Sequence, residues 1–262
     1  MIWLLVQLLG SALMITAGVR LFRRSRPAAT AAVAAMLCLI LLKAVVNHIP
    51  AAEPRLFPWD WYPFVEFWWY LFPAMFIFGV GITLVRTSVW KRDALLVGAG
   101  FLLIYCGVAA VGVEQPRNLT GVVNPEGICL QSTGYSCGPA AAATLLHHYG
   151  VSATEDEMAE LCVTRGGGTR TAGTSDAGIL RGLRHKLQDR GRAVISTPSY
   201  DEIPVPSLVA IQLNPRLGHC ILISKVESDQ VRVIDPLFGR GTIVRSQFER
   251  MWQKAAIHVN VR

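Results

Sequence analysis

Ile2 to Val19 is an unbroken run without a charged side chain. At ~1.5 Å per helical residue it covers most of a ~30 Å hydrocarbon core, and all of it once Leu21 and Phe22 are added. No soluble fold easily hides so long a run at a chain start, so a spanning helix is expected. A cleavable signal peptide starts basic and ends in small residues, whereas this run starts Met1-Ile2-Trp3 and ends among Arg20, Arg23, Arg24 and Arg26. Three further runs have spanning length: Ala28 to Val46, Phe64 to Val85 and Ala94 to Val113. The expectation is four transmembrane helices within residues 1–114.

Composition supports a break after Glu114. The whole chain is 52% hydrophobic and only 16% charged, but residues 1–114 hold 9 Lys+Arg and 5 Asp+Glu against 16 and 13 in 115–262. The second half thus has the composition of a soluble domain. Its net charge of +3 beside +4 for the first half is too evenly spread to favour nucleic acid. Lys43 is expected to snorkel from the end of its span, Glu66 to lie at the interface, and Pro73 to kink the third span. The aromatic group Trp59, Trp61, Tyr62, Phe64, Phe67, Trp68, Trp69 and Tyr70 is expected to form an interfacial belt. Basic residues collect in the loop after span one (Arg20, Arg23, Arg24, Arg26) and after span three (Arg86, Lys91, Arg92). Both loops are then cytoplasmic, and both termini with the second half lie outside the cytoplasm.

Residues 115–262 number enough for one ordinary core. Helices are predicted over Cys137–Tyr149, closed by Gly150, over Ser152–Leu161 with Thr154 as cap, and from Thr174 or Ser175 to about Asp189. Short β-branched runs follow: 194–196, 207–213, 220–226, 231–234, 241–244 and 256–261. Helices first and strands afterwards predict an α+β domain, a helical layer on a mainly antiparallel sheet. Gly166 to Ser175 lacks the ending of a phosphate-binding loop, and adjacent His147 and His148 cannot make the i, i+4 pair of a zinc site, so no cofactor and no metal are expected.

The chemistry concentrates in Gln131-Ser132-Thr133-Gly134-Tyr135-Ser136-Cys137-Gly138-Pro139. A cysteine in the first turn of a helix feels the positive end of the macrodipole, which favours thiolate, and Pro139 fixes where that helix begins. Gln131 is placed to offer its amide to an oxyanion beside the backbone N–H of Cys137. His147 and His148 lie ten or more residues along the same helix, out of reach. His219 instead follows Gly218 at the entry of an apolar strand. The next strand ends at Asp235-Pro236, and a hairpin through Glu227 to Gln230 returns Asp235 toward His219. A nucleophile, a base and an orienter follow in the order Cys, His, Asp.

These segments resemble the papain-like cysteine peptidases that process bacteriocin leader peptides after a double glycine; Gly173-Thr174-Ser175 also fits their pattern. The resemblance spans most of residues 128–258. It implies Cys137 as nucleophile, His219 as general acid/base, Asp235 as orienter and Gln131 as oxyanion donor. Where that family has an acidic residue before the cysteine, this chain has Ser136, and here the membrane spans precede the peptidase. The expected activity is hydrolysis of a peptide bond in a peptide or protein, with membrane lipid as the other partner. An acyl transferase or amidase using the same triad, and a non-catalytic peptide-binding domain, are the alternatives. Cys129 and Cys162 are either a disulfide or two buried thiols.

Overall fold

The computed structural model describes residues 2–66, 68–85, 118–166, 172–214 and 217–261, with Asp93 and Gly98 besides. They fall into two compact units.

The first unit is built on three helices: α1 (Ile2–Arg24), α2 (Arg26–Val46) and, after two short helices α3 (Ala52–Leu56) and α4 (Tyr62–Val65), α5 (Trp68–Leu84). Ser25 ends α1 and starts α2, its hydroxyl accepting from Ala28 N, with Pro27 in the first turn, where a missing N–H costs no helical bond. Helices α1 and α5 approach closely at small residues. A Cβ on Gly18 would lie 2.5 Å from the Phe76 carbonyl oxygen, and one on Gly79 would collide with the Ile15 backbone.

Helices α1 and α2 are long and apolar enough to cross a membrane; α5 is apolar but has 17 residues. The expected third span begins later than its hydropathy suggests, because the chain turns at Glu66 between α4 and α5. The expected fourth span, 94–113, lies outside the described residues apart from Gly98. Lys43 departs from expectation. It is 4% exposed, and its ammonium donates to Asn47 Oδ1 at 2.7 Å while Asn47 Nδ2 donates to the Tyr70 hydroxyl. The stem therefore runs among helices rather than outward, because a polar partner waits one turn on.

The second unit carries α6 (Cys137–His148), α7 (Glu155–Leu161), α8 (Asp176–Leu187), α9 (Arg245–Met251) and six strands, β1 (Gly191–Ser196), β2 (Ser207–Asn214), β3 (Leu217–Val226), β4 (Gln230–Asp235), β5 (Gly239–Val244) and β6 (Ala256–Val261). The sheet is antiparallel throughout, in the order β1-β6-β2-β3-β4-β5. Strand alternation divides its side chains between two cores. Cys220 and Leu222 join Ala140, Leu145, Met158, Leu180 and Leu183 of α6, α7 and α8. Ile221, Ile223, Val231 and Val233 pack on the other face against Tyr200, Phe248 and Trp252. This second cover, through α9, is absent from the sequence expectation, since α9 offers one buried anchor, Phe248, in seven residues.

Thr154 caps α7, accepting from Glu157 N, and Ser175 caps α8, accepting from Gly178 N. Gly150, at φ +69, ends α6 in the left-handed conformation that glycine takes without strain. The second unit also takes in Ile49–Pro63, between α2 and α5 in sequence. Here the aromatic belt expectation fails for Tyr62, which is fully buried, stacked on Phe57 and bonded through its hydroxyl to Glu53 Oε1 at 2.5 Å. Trp59 and Trp61 stay exposed and stack on one another.

Candidate active site

Cys137 is the first residue of α6 and is half-buried; behind it Gly138, Pro139 and Ala140 are buried in the helical core. Small residues there let α6 sink against its neighbours, so the position of Cys137 is fixed by packing and not by its own side chain. A Cβ on Gly138 would lie 3.0 Å from Thr174 Cβ, which brings the Gly173-Thr174-Ser175 stretch directly behind the cysteine.

Ser136 is fully buried. Its hydroxyl accepts from Thr133 N and Thr133 Oγ1 and donates to Thr133 O at 3.1 Å. It closes the Thr133–Ser136 turn that leads into the helix, a holding role for which an acidic side chain is not needed.

His219 enters from β3, paired with Ile211 of β2. It is 8% exposed, and its Nε2 sits 2.8 Å from Asp235 Oδ1. The Cys137 sulfur lies near enough to the same ring to raise its pKa, and with Nε2 facing Asp235, Nδ1 is the nitrogen left for it. The register Leu222↔Ile234 explains the encounter: β3 begins where β4 ends, so His219 and Asp235 meet at one end of the sheet. Asp235 Oδ1 also accepts from Leu237 N at 2.7 Å, which fixes the carboxylate in the turn.

Burial works to lower the His219 pKa, but the Asp235 hydrogen bond, the neighbouring Cys137 and the charges of both outweigh it, so the imidazole is raised to about 9. Burial likewise works to raise Asp235, and the His219 bond, the Leu237 N–H and the imidazolium charge hold it below the ordinary carboxylate range.

Gln131 lies on the loop before α6. Its backbone N–H donates to Pro236 O at 2.8 Å, tying this loop to the turn after Asp235. Its Nε2 donates to Thr133 O at 2.7 Å, which leaves the second amide proton for another acceptor. The structure thus joins His219 to Asp235 by a hydrogen bond, brings Cys137 beside the same ring, and ties Gln131 to the turn after Asp235.

Other groups stand apart. Cys129 and Cys162 are both buried and free, so the disulfide expectation gives way to two thiols. Burial first, then the Glu155 charge, pushes Cys129 up to about 12, and burial does the same for Cys162. His185 pairs with Asp60 at 4.0 Å, and His258 is lowered by burial. Asp176, at the start of α8, is a half-buried carboxyl raised to about 6 by loss of solvent and by Glu53. Sequence reasoning missed it, and missed Glu155, because each reads locally as an acidic residue in a first helical turn. Among the described residues no group of three or more His, Cys, Asp or Glu is placed to hold a metal ion.

A family model described as Peptidase C39 family matches residues 126–262. An uncharacterized protein of Methanothermobacter thermautotrophicus is 34% identical over 132 residues, 48% of this chain and 83% of that protein. The lactococcin-G-processing and transport ATP-binding protein LagD of Lactococcus lactis is 28% identical over 127 residues, 48% of this chain but 17% of the transporter. Among solved structures, the peptidase domain of Streptococcus ComA, a bi-functional ABC transporter, is similar at 22% identity and TM-score 0.44, covering 51% of this chain and 96% of that one.

Proposed function

This chain belongs to the peptidase C39 family, and we propose that it is a membrane-anchored cysteine peptidase, with a transmembrane domain in residues 1–114 and the peptidase in 115–262. Cys137 acts as nucleophile, His219 as general acid and base, Asp235 as orienter and Gln131 as oxyanion donor. The supporting observation is the 2.8 Å bond between Asp235 and a buried His219 whose ring the Cys137 sulfur also influences.

In the forward step the Cys137 thiolate attacks the scissile carbonyl carbon, and the carbonyl electron pair moves onto oxygen. That oxyanion meets the backbone N–H of Cys137 and the remaining amide proton of Gln131. On collapse the C–N bond breaks, and the imidazolium of His219 gives its proton to the leaving amine. A thioester remains on Cys137. Neutral His219 then takes a proton from water, the hydroxide adds to the thioester carbonyl, and collapse expels the thiolate and frees the carboxylic acid product. Asp235 holds the ring orientation and steadies the imidazolium in both halves.

The substrate class is peptide or protein, in keeping with the lactococcin-G processing named for LagD. Neither transport nor cleavage after a double glycine is carried to this chain. The anchor comprises α1, α2, α5 and residues 94–113, with the peptidase on the extracytoplasmic side.

Replacing Cys137 by Ala in the full chain tests the assignment. Cleavage is expected to fall at least about 10³-fold, with loss of labelling by an electrophilic thiol probe. Undiminished cleavage, or undiminished labelling after correction for the exposed Cys38, would remove Cys137 from the mechanism.

A further inference from the structure

Glu155 is fully buried and hydrogen-bonds both the loop before Cys137 and the strap at Gly121. Its Oε1 accepts from Ser132 N at 2.8 Å; its Oε2 accepts from Gly121 N at 2.8 Å and from Ser132 Oγ at 2.6 Å. Three donors on one carboxyl group match an acceptor-only carboxylate. The strap is further fixed by Glu155 N donating to Gly121 O and by Thr120 N donating to Ser132 Oγ. Glycine is required at 121, where a Cβ would lie 2.6 Å from Glu155 Oε2.

The N–H of Ser132 belongs to the peptide bond joining Gln131 to Ser132. Glu155 therefore fixes the peptide plane on one side of the Gln131 Cα, while Pro236 O fixes the plane on the other by accepting from Gln131 N. With both planes set, the direction in which the Gln131 side chain leaves the backbone is set as well. The first anchor comes from the helical layer and the second from the turn beside Asp235, so Gln131 is strung between the two parts of the fold that supply the nucleophile and the base.

We propose that Glu155 is a positioning residue for the oxyanion donor Gln131, acting through the Ser132 peptide; the proposal rests on the peptidase assignment. Glu155 touches none of the reacting atoms in that mechanism. Its effect belongs to the steps in which a carbonyl oxygen gains charge, and a displacement of a donor by ~1 Å is enough to slow such a step by up to about 10²-fold. Alkylation of the thiolate forms no oxyanion, and it therefore does not depend on Gln131.

The two reactions are separated with p-nitrophenyl acetate, which acylates Cys137 through an oxyanion, and iodoacetamide, which alkylates it without one. Both are read on the full chain in detergent as the difference from Cys137→Ala. In Glu155→Gln, either amide orientation points an N–H at a backbone N–H, of Ser132 or of Gly121. Acylation is expected to fall about tenfold or more while alkylation stays within about twofold. Ser132→Ala, which keeps the peptide N–H and loses only the hydroxyl, is expected to slow acylation about threefold with alkylation unchanged. It serves as the test if Glu155→Gln does not fold. Acylation unchanged, or both reactions falling together, overturns the positioning role and leaves Glu155 as a support for the fold. If Cys137→Ala removes neither reaction from the parent protein, the peptidase assignment fails, and the proposal with it.

Discussion

A histidine raised to about pH 9 is still an acid at neutral pH, as the step that expels the leaving amine requires. The rate of cleavage is therefore expected to decline on the alkaline side with a midpoint near pH 9, measured as kcat/KM against pH. Replacing Asp235 by Asn removes the charge and the bond that oppose burial, so the midpoint is expected to move below 9 and cleavage to fall about 10²- to 10⁴-fold. A midpoint still near 9 in Asp235→Asn would detach Asp235 from His219. The same shift enters stability with a definite sign: His219 has its folded pKa above the ordinary 6.5, so its contribution is complete below pH 6.5 and is lost as pH rises through about 9. Asp235, held low, contributes above the ordinary carboxylate range and loses that contribution in acid. Thiol chemistry should be as selective: with Cys129 and Cys162 at about 12, only about one part in 10⁴ of each is thiolate at pH 8. Mass analysis of the native protein after brief alkylation should find both unmodified. Cys137, His219, Asp235 and Gln131 could be chosen from sequence because each stands next to a local landmark: a helix start, a strand entry, a strand exit before proline, a loop before the helix. Glu155 has no such mark. Its partners are 23 and 34 residues away, and a capped helix start explains its local sequence equally well.

At the scale of elements, strength of periodicity decided what was legible. All six strands lie where β-branched runs were found, with ends displaced by up to three residues, and α7 and α8 begin behind the capping residues Thr154 and Ser175. Helix α9 was not foreseen because seven residues hold too little pattern, and the Ile49–Pro63 segment because packing onto a distant module leaves no local periodicity. Lys43 shows a different limit: hydropathy locates a cation within a span but not the Asn47 oxygen that receives it. The α1–α5 contact, in contrast, gives a direct prediction. Apolar helices gain little from the hydrophobic effect in lipid and associate through close fit, which side chains at Gly18 and Gly79 would prevent. Gly79→Leu is therefore expected to lower the thermal midpoint of the full chain in detergent clearly more than Gly81→Leu, since nothing lies within 4 Å of a Cβ at Gly81. Equal shifts would mean that α1 and α5 do not depend on that approach.

For the molecule as a whole, the side on which Cys137 works is a matter of parity. Helices α1 and α2 are long and apolar enough to cross a membrane, and if both cross, Ile49 returns to the side where Ile2 began. At ~1.5 Å per residue the 17 residues of α5 extend about 25 Å, at the short limit for a crossing. If α5 crosses and residues 94–113 do not, the peptidase faces the compartment opposite the N-terminus; if both cross, it shares the N-terminal side. Loop charge favours the second arrangement. Arg20, Arg23, Arg24 and Arg26 on one turn, and Arg86, Lys91 and Arg92 on the other, share the cytoplasmic side when α2 and α5 each cross, and with Arg117 the one basic residue in 114–130 the chain after residue 113 lacks the charge that retains a loop there. An alkaline phosphatase fused after Arg262 is then expected to be active and one fused after Arg92 inactive. Activity at both positions would mean that α5 lies within the membrane surface or the protein instead of crossing it. Inactivity at both would put Cys137 in the cytoplasm and restrict its substrates to peptides that have not yet left the cell.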